Sequence, residues 1–159
     1  MDRWCGVLEM RLSNARMLLP WAPLALRLSL GAIFIAHGAQ KLFGIWEGPG
    51  LSATIDMFHT NFGIPPYLMV VSIATEFLGG IAVTIGLLTR LASLGLAIDT
   101  AVTIVKVNWP NGFFLNWYLV SGRGHGYEFS LALLAMSIAL SLSGPGKLAV
   151  DNVLGFEEE

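Results

Sequence analysis

Long apolar runs alternate with short polar or glycine-rich breaks along this chain. Four runs stand out: roughly Ala22 to Phe43, Pro66 to Leu88, Arg90 to Val107 and Tyr127 to Ser143. A helix of about 20 apolar residues crosses the roughly 30 Å hydrocarbon core of a bilayer, so the pattern predicts four membrane-spanning helices. The first break, GIWEGPGLSATIDMFHTNFGIPP, is rich in Gly and Pro and reads as a loop. Within it Leu51, Ile55, Phe58 and Phe62 recur at helical spacing, which predicts a short interfacial helix with Asp56 and His59 on its wetter side. The second break is the tight turn LLTRL. The third, NWPNGFFLNWYLVSGRGHG, is aromatic and Gly-rich. Its Trp109, Trp117 and Tyr118 suit an interfacial belt, and Phe113 and Phe114 are expected to dip toward the core.

The runs are not uniformly apolar. In the first, Arg27, Gly31, Phe34, Gly38 and Lys41 follow helical spacing and share one face, with His37 beside it. The second places Ser72, Glu76, Gly79 or Gly80, and Val83 on one stripe. The third does the same with Ala92, Gly95, Asp99, Thr103 and Lys106, and the fourth with Glu128, Ala132, Ala135 and Ala139. Small residues let membrane helices approach closely. An ionised group facing lipid costs several kcal/mol, so these faces should turn toward one another. The expected architecture is an all-α transmembrane four-helix bundle with short interfacial helices.

Composition agrees. The 159 residues are 55% hydrophobic and only 13% charged, with a mean hydropathy of +0.67. Soluble domains are about a quarter charged. A net charge of −2 and a pI near 5.9 give no reason to expect nucleic acid as a partner. The lone cysteine, Cys5, forms neither an internal disulfide nor a redox pair. The N-terminal stretch lacks the pattern of a cleaved signal, so the first span is expected to direct insertion. Residues 1–17 carry Arg3, Arg11 and Arg16 among apolar residues and suit a helix on an anionic membrane surface, or equally a frayed tail. Segments 1–21, 22–152 and 153–159 then divide the chain into an interfacial segment, a membrane domain and an acidic tail. Four spans put both termini on one side, and five basic residues there against three opposite favour cytoplasmic termini.

Arg27, Lys41 and Lys106 supply three cations within or beside the spans; Glu76, Asp99 and Glu128 supply three anions. By helix rise, Glu76 sits roughly 15 Å below the outer surface and Asp99 roughly 14 Å above the inner one. Arg27 falls within vertical reach of Asp99, while Lys41 and Glu128 both sit near the outer face. The candidate polar pocket therefore comprises Arg27, His37, Lys41, Glu76, Asp99 and Glu128, and no residue is assigned a catalytic role. Intramembrane ionisable groups are functional by default. The plainer alternative is a set of ion pairs that fix helix register. His37, His59 and His125 with Glu128 lack a tight ligand spacing, so no metal is expected.

Several pieces resemble the DoxX family of small four-span membrane proteins. They are LRLSLGAIFIAHGAQKLFG at 26–44, ATEFLGGIAVTIGLLTRLAS at 74–93, NGFF at 111–114, GYEFSLALLA at 126–135 and GPGKLAVD at 144–151. The resemblance implies a four-helix bundle in a bacterial-type plasma membrane, with Arg27, Lys41, Glu76 and Glu128 as its matching polar positions and Asp99 a less clear match. It also implies a link to oxidoreductase and oxidative-stress complexes. The expected function is an integral membrane subunit of such a complex that binds quinone or a small lipid in the polar pocket, with no covalently bound cofactor. Expected partners are the lipid bilayer, soluble redox or sulfur-transfer proteins, and a second copy of the chain. The alternatives are a non-catalytic anchor or scaffold and a small proton-coupled transporter.

Overall fold

A computed structural model describes residues 19–156, and every regular element among them is helical. A single 3-10 turn, Leu19–Trp21, leads into α1 (Ala22–Phe43). Then come α2 (Gly50–Phe62), α3 (Pro66–Ile85), α4 (Thr89–Thr103), α5 (Glu128–Ser143) and α6 (Val150–Leu154). Helix α4 does not stop at Thr103. It widens into a π turn over Ile104–Asn108 and tightens into a 3-10 turn over Trp109–Asn111. The readings placed on residues 1–17, Cys5 and residues 157–159 lie outside the described residues.

Helices α1, α3, α4 and α5 pack in a ring in that order, closed by α5 against α1. The core is apolar: Leu30, Phe34, Val83, Leu96, Leu133 and Leu140 form one buried cluster. The outward faces carry Leu68, Val71, Leu78, Leu91 and Ile98. Apolar residues on the outside as well as the inside are what a helix presents to lipid. Close packing of α1 on α3 depends on Gly38, where a Cβ would stand 2.7 Å from the Phe77 backbone nitrogen. Phe43 meets Phe77 edge-on beside it, with ring centroids 5.3 Å apart.

Three helical stretches are long and apolar enough to cross a membrane: Leu19–Phe43, Pro66–Ile85 and Thr89–Asn111. Helix α5 has 16 residues, about 24 Å at 1.5 Å per residue, and falls short of that length by itself. It nevertheless runs alongside α4. Ser130 donates to the Asn108 side chain at one end, and Arg90 donates to the Ser141 and Leu142 carbonyls at the other.

Two expectations about faces need correcting. Ala132, Ala135 and Ala139 do not point inward: they are exposed, and α5 buries Leu133, Ser137 and Leu140 instead. The buried face of α5 meets Thr89, Ser93, Leu96, Ala97 and Thr100 on the buried face of α4, and the alanine stripe lies on the outside. Phe113 and Phe114 are also exposed. Their carbonyls, with that of Gly112, accept from the backbone N–H groups of Glu128, Gly126 and Tyr127, so this loop caps the start of α5 rather than entering the core.

Candidate functional site

Each end of the bundle buries charge. At one end stands Arg27, 1% exposed. All five of its N–H groups donate to backbone carbonyls: Nε to Val83, one terminal nitrogen to Pro145 and Lys147, the other to Thr84 and Leu148. Val83 and Thr84 belong to the last turn of α3, whose carbonyls have no partner within the helix. A cation there also meets the negative end of the helix dipole. The adjoining turn, Gly86 to Thr89, is held from its other side by buried Asp151, which accepts from Leu88 N, Thr89 N and Thr89 Oγ1 at 2.6, 2.9 and 2.7 Å. Leu88 has φ +47°, a left-handed conformation unfavourable for a branched side chain, and Asp151 fixes it. Gly86 is needed for a different reason: a Cβ at this positive-φ residue would stand 2.7 Å from the Arg27 guanidinium carbon.

Arg27 therefore does not pair with Asp99. Its acceptors are carbonyls at helix ends and in the 145–148 turn, which the arrangement of charges along the sequence does not reveal. Asp151, absent from the set of candidates, is the acidic residue whose charge acts on Arg27. The one available signal was its position between Val150 and Asn152 just after the Gly-Pro-Gly turn.

The other charged end is built differently. Lys41 on α1 reaches Glu76 on α3, with Nζ 2.5 Å from Oε1. Phe58 of α2 lies over the same ammonium, its ring centroid 5.9 Å away, a cation–π distance. Asp99 on α4 accepts from Ser72 Oγ at 2.5 Å and lies within the electrostatic reach of both Glu76 and Lys41. Glu76 is 5% exposed, and among the described residues its second oxygen, Oε2, has no hydrogen-bond partner.

Two spaces meet here: Lys41 and Asp99 face both, and Glu76 faces only the smaller. A polar cavity of about 200 Å³ lies between α1, α4 and α5; Phe34, His37, Lys41, Glu76, Asp99, Thr100, Thr103, Asn108 and Ser130 are on its wall. A larger groove of about 470 Å³ is bounded by α2, α3 and α4. Its wall is largely apolar, with Phe58, Ile64, Leu68, Met69, Val71, Ile98 and Val102, and it shares Lys41, Asp99 and Thr103 with the cavity. The predicted stripe of α4 explains this: Gly95, Asp99, Thr103 and Lys106 all face the groove. The π turn then serves both spaces, presenting Lys106 to the groove and Asn108 to the cavity. Such widened turns recur at functional sites, and nothing in the sequence marked this one.

Four of the six candidates thus come together: His37, Lys41, Glu76 and Asp99. Arg27 is at the opposite end. Glu128 is close by in the chain fold yet turned to another task, its Oε1 accepting from Leu115 N and Trp117 Nε1. It ties the aromatic loop to the start of α5. His125 is likewise a loop residue, its Nδ1 accepting from Asn116 N, and His59 sits near Ile64 O. Among the described residues no three His, Cys, Asp or Glu side chains gather as a metal site.

The DoxX family model matches residues 22–109, which include α1 to α4 and the π turn. The chain belongs to the DoxX family. This DoxX chain is 33% identical over 128 residues to "Putative oxidoreductase CatD" of Bacillus subtilis, covering 80% of this chain and 83% of that protein. It is 32% identical over 142 residues to an uncharacterized membrane protein of Mycobacterium tuberculosis, covering 85% and 82%. An uncharacterized protein of Haemophilus influenzae is 26% identical over 148 residues, covering 89% and 96%. No solved structure shows significant similarity to the chain. With its apolar helices, this DoxX protein is an integral membrane protein.

Proposed function

We propose that this protein is the membrane subunit of an oxidoreductase system and binds a quinone or similar small lipid where the groove meets the Lys41–Glu76–Asp99 trio. The observation that carries this reading is the junction itself: an apolar slot of about 470 Å³ ending on a few convergent polar groups. Ligand sites have this form and a volume of roughly 300–1,000 Å³. Exposed Leu68, Val71, Ile98 and Val102 put the groove's long side toward lipid, the route by which a hydrophobic ligand arrives. The oxidoreductase name of the Bacillus subtilis relative agrees with this reading. The protein's place is a bacterial-type plasma membrane with cytoplasmic termini, where soluble redox or sulfur-transfer proteins would be its partners. Between the cavity and the Arg27 end, Leu30, Val83, Leu96 and Leu140 are fully buried, which favours a closed binding site over a path for transport.

Gentle solubilisation into lipid nanodiscs, followed by titration with a short-tailed benzoquinone, tests the proposal. Saturable binding that is lost on Asp99→Leu with the fold intact is the expected result. No retained quinone after purification and no saturable binding of either redox form would overturn it.

A further inference from the structure

The polar groups where the groove meets the smaller cavity are not all paired. Lys41 provides donors, one already used on Glu76 Oε1. An unfilled acceptor stands beside it: Glu76 Oε2 is buried and has no hydrogen-bond partner among the described residues, and Asp99 brings a second carboxyl group near. A buried acceptor left without a donor loses its hydration with nothing in return, and the loss is greater when it is charged. A ligand carbonyl cannot relieve this, because it has only lone pairs to offer and sets them against two carboxylates. A hydroxyl can: its hydrogen goes to a carboxylate while its oxygen accepts from the Lys41 ammonium.

We propose that the site selects the dihydroxy, reduced form of its quinone-type ligand over the dicarbonyl, oxidised form. This rests on the reading of the groove as a quinone site and adds which redox form it holds. The proposal concerns binding alone, and its consequence is thermodynamic. A site that binds the two-electron-reduced form tenfold more tightly raises the midpoint potential of the bound couple by about 30 mV. The site thereby makes its bound quinone a better electron acceptor than quinone free in the bilayer.

The test uses the full-length protein in nanodiscs under anaerobic conditions, titrated separately with a short-tailed benzoquinol and with the matching benzoquinone. The expected result is quinol binding about tenfold tighter or more, the scale of a hydrogen bond to a charged group. Glu76→Gln should bring the ratio toward parity by placing an N–H₂ donor where Oε2 stood, with circular dichroism reporting the fold. Should Glu76→Gln not fold, Asp99→Asn makes the same test from α4. Equal affinities, tighter quinone, or a quinol preference that survives in the folded variant would overturn the inference and leave the quinone site standing. Equal affinities are also what a water or a proton held between the carboxylates would produce. Failure of both forms to bind would remove the underlying reading as well.

Discussion

The two charged ends of this bundle bury similar chemical groups and finish them differently. Around Arg27 every donor has an acceptor, and the neighbouring Asp151 carboxylate is filled by two backbone N–H groups and a hydroxyl. Around Glu76 one carboxylate oxygen is left over, and the surroundings contain space. A polar network that is fully satisfied rigidifies a fold, whereas an unfilled one in low dielectric is costly. Ionisable residues in a span therefore divide into those whose hydrogen-bonding capacity is filled and those whose capacity is not. Counting charges along the sequence does not separate them.

The contrast is broken most severely at the closed end. Arg27→Ala strands the α3 carboxy-terminal carbonyls, the 145–148 carbonyls and Asp151, and should destabilise the protein by about 3–5 kcal/mol, seen as loss of folded protein in detergent melts. Asp151→Ala removes the capping groups at Leu88 and Thr89, for which about 1–2 kcal/mol is expected in the same assay. At the open end, Glu76→Gln should alter stability least, by about 1 kcal/mol or less, because the amide keeps an oxygen for Lys41 and removes a buried acceptor that has no donor. A Glu76→Gln loss as large as that of Arg27→Ala would mean that both ends are structural, and the division drawn above would fail.

Much of the fold was legible because lipid enforces it. The face of α1 carrying Arg27, Gly31, Phe34 and Gly38 is buried as its spacing requires, and the Glu76 stripe of α3 packs against it. Spacing marked Lys41, Glu76 and Asp99 as pocket candidates, but depth set Asp99 near Arg27 and Lys41 level with Glu128; the trio itself follows from how α1, α3 and α4 pack. Arg27 could be recognised as inward-facing but not given its partners, since backbone carbonyls at helix ends leave no trace in a pattern of side chains. The alanine stripe of α5 misled because small residues are equally at home against lipid; the buried face carries Leu133, Ser137 and Leu140 instead. Glu128, matched in position and charge, was claimed by a loop whose conformation depends on backbone hydrogen bonds to Gly112, Phe113 and Phe114.

The clamp on the α3–α4 turn also bears on how the protein is made. Three of Arg27's five acceptor carbonyls, and the carboxylate that holds Leu88 and Thr89, come from residues 145–151. During synthesis the first three long helices emerge well before these groups exist. Until the ribosome delivers them, the guanidinium must be sheltered by water, phospholipid headgroups or the insertion machinery. Locking of the α3–α4 turn thus waits on residues 145–151, and removing them takes away three of the five Arg27 acceptors and the carboxylate that holds Leu88 and Thr89.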